Sequence, residues 1–356
     1  MIKILHSADW HLDAPLQGFQ PETRQTLQAA LLSIPGKIAA ICKQEQCDLV
    51  LLSGDLFDGA YTKESFYALK NALEEITVPV FITPGNHDYC GVSSPYLSEL
   101  WPDHVHIFTR SVVESVALPQ LDCRIYGAGY TGMECPGLLE NFSITGTEQY
   151  HIGIFHADPA TTDSPYSPVT RQQIAASGLD YLALGHIHKG GEIFAGNTLC
   201  RWPGCPMGKG YDEEGEKGVV ITQIGDTVTT RFLPLDTPRF YDWYVEAQED
   251  TVAALDQILP PLGNDNFYRI TLTGPSEKPD LPALTREFSR FPNLLLRDNT
   301  QPPLDIWGSA GEDSLEGTYF KILRDQLRDA DETQRRRILL AARISKQILN
   351  GQEVDV

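Results

Sequence analysis

Five times this chain breaks out of a short apolar run into aspartate, asparagine or histidine, and that recurrence constrains the fold more than any other feature. IKIL (2–5) leads to D-W-H (Asp9, His11), and DLVLLS (48–53) leads to G-D-L-F-D (Asp55, Asp58). VPVFIT (78–83) passes through Pro84 to G-N-H-D (Asn86, His87, Asp88). HIGIF ends in His156, and YLALG ends in H-I-H (His186, His188). Runs of this length and character read as buried strands. Alternate residues of an extended segment face the same way, so Asp9 with His11, and His186 with His188, would project together. Ligand sites of open α/β sheets lie beyond the carboxyl ends of strands, the end at which all five segments turn polar. Singly, each block has a plainer reading as a turn aspartate, a surface histidine or Gly-Asn-Asp turn chemistry. Five blocks in phase with strand ends point to one shared site.

Helical patterns fill the gaps between the first three strands. TRQTLQAALLSI continues past Pro35 and Gly36 into KIAAICKQ, and TKESFYALKNALEEI follows with Thr62 as its N-cap. Pro35 is expected to kink or split the first helix. Strand and helix in alternation predict an α/β fold, a layered β-sheet core flanked by helices. CRIYGAG (123–129) reads as a further strand. GYDEEGEKG (210–218) reads as the solvated turn of a hairpin whose strands are GVVITQI (218–224) and TVTTRFLPL (227–235). PLDTPRF (234–240) then links this first domain, residues 1–235, to a small α+β domain at 240–310 with strands WYVEA, FYRITLTG and LLLRD. Residues 311–356 read as a helical tail with a polar break near 330 and apolar side chains such as Leu315, Tyr319, Ile322, Ile338 and Leu349 at helical spacing.

Composition narrows the setting. No apolar run approaches the roughly 20 residues that span a bilayer, and MIKIL is too short for a signal-peptide core, so no membrane association and a cytoplasmic location are expected. Seven cysteines without a C-x-x-C spacing read as thiols in a reducing compartment. The net charge of −20 is shared by both halves of the chain, so nucleic acid could be held only through a local patch, bound cations or a partner. Arg201 and Lys209, near a glycine-rich stretch, are candidates for such contacts, and Arg335, Arg336 and Arg337 form a dense basic cluster. His6, His104, His106 and His151 sit at no motif strand end and read as structural.

The ordered blocks D-x-H, G-D-x-x-D, G-N-H-D, H and G-H-x-H resemble those of the calcineurin-like metallophosphoesterases. SADWHLDAP, SGDLFD, ALGHIH and WPGCPMGKGYDEEGEKG resemble more closely the SbcD-type DNA repair exonucleases, including their YhaO-like branch. The resemblance covers roughly residues 1–235 and implies two divalent ions, Mn²⁺ by family habit. One would be held by Asp9, His11, Asp55 and His188, the other by Asp55, Asn86, His156 and His186, with Asp55 shared. A hydroxide bridging the ions would attack phosphorus, and His87, oriented by Asp58, would protonate the leaving oxygen. Asp88 is expected to brace its turn instead. Protein phosphatases of this fold carry Arg-Gly after the second aspartate of G-D-x-x-D; here Gly59 and Ala60 follow Asp58, which favours a diester substrate.

The implied activity is a DNA exonuclease, a hydrolase of DNA repair. The small domain would cap the cleft, and the C-terminal helices would dock an SMC-like coiled-coil ATPase of SbcC type. The family also forms homodimers. Two alternatives remain open: a phosphodiesterase for nucleotides or other small diesters, and a non-catalytic scaffold of an ATPase complex.

Overall fold

In the computed structural model, which describes residues 1–247, 250–276 and 278–351, the apolar runs form strands and the periodic segments between them form helices. Contacts divide the chain into one unit at Met1–Tyr241 and a second that begins at Asp242.

The first unit opens with alternating β1 (Ile2–Ser7), α1 (Pro21–Glu45), β2 (Leu49–Leu52), α2 (Lys63–Glu75), β3 (Val80–Ile82), the single turn α3 (Pro95–Ser98) and β4 (Val105–Ile107). Strands β1 to β4 pair in parallel. There follow β5 (Glu114–Leu118), β6 (Cys123–Gly127), β7 (Tyr150–His156), α4 (Arg171–Ala176), β8 (Tyr181–Gly185), β9 (Lys189–Ala195) and β10 (Thr198–Gly204). These strands make a second sheet ordered β5-β6-β7-β8-β10-β9. The chain then returns to the first sheet. β11 (Gly218–Ile224) pairs antiparallel with β1, and β12 (Val228–Pro234) folds back on β11, giving the order β12-β11-β1-β2-β3-β4.

Two expectations are corrected here. The hairpin turn lies at 225–227, between β11 and β12, so GYDEEGEKG is a crossing loop between the two sheets and not the turn of that hairpin. Helix α1 also runs unbroken across Pro35. Pro35 removes one backbone donor, but Leu27, Leu31, Ile34, Pro35, Ile38 and Ala39 are all buried along one stripe, and breaking the helix would expose them.

The main core lies between the sheets. Ile4, Leu49, Leu51 and Phe81 of the first meet Ile125, Ile152, Ile154, Tyr181 and Ala183 of the second. Their strand alternates Leu5, Val50, Leu52 and Ile82 are equally buried, so the first sheet is covered on both faces. On the second sheet Phe155, Leu182 and Leu184 pack with Leu138, Val169 and Ile174. All seven cysteines are buried thiols. His6 and His151 are buried and bonded to neighbouring hydroxyls, His6 to Tyr181 and Ser53 and His151 to Tyr126.

β13 (Phe240–Glu246), which begins at the end of the first unit, joins α5 (Thr251–Ile258), β14 (Phe267–Thr273), α6 (Leu281–Glu287) and β15 (Leu294–Asp298) of the second in a three-stranded sheet ordered β13-β14-β15 with two helices. α7 (Leu315–Gln326) and α8 (Glu332–Leu349) follow in the second unit, with residues 327–331 as the break. They are capped by Ser314 and Asp331 and pinned by a Lys346–Glu316 ion pair at 2.6 Å. Residues 352–356 of the expected tail lie outside the described residues. Among the described residues, no helix is long and apolar enough to cross a membrane.

Candidate metal centre

The polar blocks leave their strands by bending, not by extending them. β1 ends at Ser7, and Asp9 and His11 both take left-handed backbone conformations, with φ of 56° and 47°. Asp55 (φ 51°) and His186 (φ 99°) do likewise beyond β2 and β8. Two-residue alternation along a strand is therefore not what brings Asp9 beside His11, nor His186 beside His188. Non-glycine residues at positive φ are strained and persist only where their surroundings over-determine them. Here the loops after β1 and β2 bond to each other along their length: Asp9 N–H to the Gly54 carbonyl at 3.0 Å, His11 to Asp55 at 2.9 Å and Leu12 to Leu56 at 2.9 Å.

Asp88 ties in the loop after β3. Its buried carboxylate accepts the N–H groups of Asp55 (3.2 Å), Leu56 (2.7 Å) and Gly85 (2.7 Å) and the Tyr96 hydroxyl at 2.6 Å. Gly85 must be glycine for close approach, since a Cβ there would lie 2.2 Å from Asp55 Oδ1 and 2.8 Å from the His156 ring. The second sheet is joined through Asp9, whose carboxylate accepts the His186 N–H at 2.9 Å. The carboxyl ends of β1, β2, β3, β7 and β8 thus meet in one place.

Within it, each of three imidazoles has one nitrogen committed outward. His11 Nδ1 lies 3.1 Å from Asp58 Oδ1, His188 Nδ1 2.5 Å from Glu213 Oε1, and His156 Nδ1 2.9 Å from the Ser53 carbonyl. Those partners are acceptors, so each Nδ1 carries a proton, and a ring left unprotonated at Nε2, as a metal ligand must be, turns a lone pair inward. The lone pairs meet other acceptors. His11 Nε2 stands 3.0 Å from His188 Nε2, and His156 Nε2 stands 3.0 Å from Asn86 Oδ1 and 3.3 Å from Asp55 Oδ2. Two facing lone pairs 3.0 Å apart repel unless a cation lies between them, and that is about the spacing of adjacent ligands each about 2.1 Å from one ion. Asp9, His11 and His188 have ligand atoms within 4.8 Å of one another, as do Asp9, Asp55 and His156. Asp55 Oδ2, 3.7 Å from His11 and 3.3 Å from His156, lies between the two groups, while Oδ1 is held by the His87 N–H at 2.9 Å. This donor set fits two divalent ions, and its mix of imidazole, carboxylate and amide suits borderline metals.

Electrostatics agree. Burial alone would raise Asp55, but the His156 and His11 imidazoles hold its carboxyl below the usual range. Burial would lower His156, yet Asp55 and Asp9 lift it to about 9, so these carboxylates favour positive charge beside its ring. His186 stands apart from the tight groups. Its ring sits edge-on to His156 at 5.2 Å between centroids, and burial and His156 push it down to about 4.

His87 lies at the rim with its side chain 48% exposed and Nδ1 2.7 Å from Asp58 Oδ1. The same Asp58 oxygen serves His11, and these two bonds hold Asp58 below the usual carboxylate range. The Asp58 bond raises His87 above an ordinary histidine. Arg201 and Lys209 are each held by a carboxylate: Arg201 by Glu192 across β9 and β10 at 2.7 Å, Lys209 by Glu213 at 3.3 Å.

Glu213 was missed. The acidic run at 212–216 reads from sequence as solvated, yet Glu213 is only 12% exposed and turned onto His188. Burial would raise it, but His188 and Lys209 keep it ionised. Its neighbours Asp212, Glu214 and Glu216 do point to solvent, as the sequence reading expects. The signal available was the position of this run inside a block that also carries the family resemblance. Carboxylates that hold a ligand histidine typically affect metal affinity by about 10–100-fold. Glu213→Gln should weaken binding of one of two ions by that factor, measured by competition with a fluorescent chelator. Unchanged affinity at both sites would remove Glu213 from the metal centre.

Residues 2–190 match the calcineurin-like phosphoesterase family. Among similar proteins, the metallophosphoesterase YhaO of Bacillus subtilis is 29% identical over 296 residues, 77% of this chain and 69% of that one. The SbcD component of the SbcCD nuclease of Bacillus subtilis is 26% identical over 262 residues, 62% of this chain and 66% of that one. A dimetal phosphatase from Danio rerio is 12% identical, with a TM-score of 0.42 over 65% of this chain and 98% of its own.

Proposed function

The chain belongs to the calcineurin-like phosphoesterase family, and on that premise we propose that it is a DNA nuclease that hydrolyses phosphodiester bonds with two divalent ions, Mn²⁺ as the expected metal. The observation that carries this reading is the inward convergence of Nε2 lone pairs and carboxylates beside a half-exposed, carboxylate-bonded His87. Asp9, His11, Asp55 and His188 would hold one ion, and Asp55, Asn86, His156 and His186 the other. Such ions, when bound, offset phosphate charge and make water nucleophilic at neutral pH.

The chain's own residues do the rest. Asp58, Glu213 and the Ser53 carbonyl fix three ligand imidazoles in the tautomer that presents Nε2. Asp58 also favours the protonated form of His87 and orients it, so that it can pass a proton to the departing oxygen. Gly59 and Ala60 put no cation beside that group, in keeping with a diester.

The SbcD relative, a nuclease component, supports DNA as substrate and a second protein as partner. On the family resemblance that partner is a coiled-coil SMC-like ATPase docking on α7 and α8, whose Leu315, Ile322, Leu339, Ile348 and Leu349 are exposed. The unit from Asp242 would cap the cleft, and a homodimer would form through the first unit. The net charge of −20 favours a second reading, a phosphodiesterase for nucleotides or small diesters. End-labelled linear DNA and a chromogenic diester, each with Mn²⁺, separate the two. Cleavage of DNA that is absent in Asp55→Asn is expected. Turnover of the small diester alone, even with the ATPase partner added, would favour the second reading.

A further inference from the structure

His87 forms part of the wall of a cavity of about 550 Å³ that holds none of the metal-ligand candidates. One side is the loop that follows Asp58, with Gly59, Ala60 and Tyr61; the other is the segment from Tyr89 to Pro95. The two sides are fastened at His87 itself, whose carbonyl accepts the Gly59 N–H at 3.1 Å. A Cβ on Gly59 would meet nothing within 4 Å, so the missing arginine at this place leaves open volume. The aromatic content is high: Phe57 is fully buried as a floor, with the Tyr61 ring tilted against it at 5.7 Å between centroids, and Tyr89 is partly exposed on the opposite side.

Resting on the reading of His87 as the proton donor, we propose that this cavity receives the nucleoside on the leaving side of the scissile bond, its base lying against Tyr61 and Tyr89. Three observations converge on that ligand class. The group that accepts the His87 proton must lie against His87, and this cavity adjoins it. The cavity has the size of an ordinary small-molecule site. Beyond His87 and the buried Asp88, its side chains are aromatic, small or apolar; a phosphomonoester or an acidic peptide would need further cations, and the lining has no lysine or arginine. Aromatic faces hold any nucleobase by stacking, without hydrogen-bond readout, and so select nucleotides over other diesters without selecting sequence.

The test uses the full chain and two readouts. The first is equilibrium quenching of 2-aminopurine deoxyriboside fluorescence, which needs no turnover. Wild type should quench it, Tyr61→Phe should retain quenching, and the double variant Tyr61→Ala/Tyr89→Ala should weaken binding by about 10-fold or more. The second compares kcat/KM for a thymidine dinucleotide with that for analogues lacking one base or the other. Removing the leaving-side base should lower kcat/KM by about 10–100-fold in wild type, and that ratio should collapse toward one in the double variant. Equal losses on all three substrates would mean a structural role for the tyrosines and overturn the proposal, as would an absence of quenching by wild type. Quenching without turnover of any dinucleotide would leave the pocket standing and instead overturn the nuclease reading.

Discussion

Asp55→Asn is expected to abolish metal-dependent hydrolysis, with a loss of roughly a thousandfold or more. Charge stabilisation by a bound ion is worth several kcal/mol, and about 1.4 kcal/mol is tenfold in rate. Asp55 Oδ2 faces imidazoles of both ligand groups, so one substitution weakens both. Asparagine keeps the shape and can still accept the His87 N–H through Oδ1, so the variant should fold. It removes the charge that would offset two cations at a buried position. Metal content by mass spectrometry, read beside turnover of a chromogenic diester, checks both effects. Two ions per chain with unchanged turnover would show that Asp55 is no shared ligand.

The second large effect concerns His87. Replacement by alanine should keep the ions, because His87 contributes no inward lone pair, yet lower turnover by about 10²–10⁴-fold, the usual contribution of a positioned general acid. The loss should be large for a dinucleotide, whose leaving alkoxide needs a proton, and small for a nitrophenyl ester, whose leaving phenolate does not. The pH profile carries the sign. The Asp58 bond, which outweighs the lowering by partial burial, raises His87 above its ordinary value. A general acid acts in its protonated form, so activity on the dinucleotide should persist below the raised value and be lost as pH rises through it. Asp58→Asn removes that support and should move the alkaline limb to lower pH. Metal occupancy must be measured alongside, because the same oxygen also orients His11. An empty His87→Ala variant, or a limb that does not move, would count against the assignment.

Much of this was legible before any coordinates. A chain that turns polar five times at strand ends can bury its apolar runs only by stacking them into sheets, and the polar ends then collect at one edge. The blocks that contain Asp9, Asp55, Asn86, His156 and His188 were therefore findable by spacing, while the choice of ligand within each block came from the family resemblance. The Asp58–His87 pair needed the family resemblance, because nothing in G-D-x-x-D says which aspartate reaches which histidine. Glu213 was hidden for a related reason. In a run of four acids over five residues, composition favours solvent for all of them. Only the return of the chain from β10 to β11 decides that one turns inward.

The division between sequence and tertiary structure follows from the range of the forces involved. Hydrophobic alternation, Thr62 capping and the strand-ending blocks are local, so the sequence by itself determined the α/β layering, most strand positions and the blocks from which the family resemblance picks the metal-ligand candidates. The backbone bends that aim Asp9, His11, Asp55 and His186 are strained and held only by bonds between loops distant in the chain, such as His11 to Asp55. The continuity of α1 through Pro35, the orientation of His188 by Glu213 and the cavity beside His87 have the same origin. Each depends on a contact between segments that meet only after the sheets have packed, and a local rule has no access to the energy of a contact that does not yet exist.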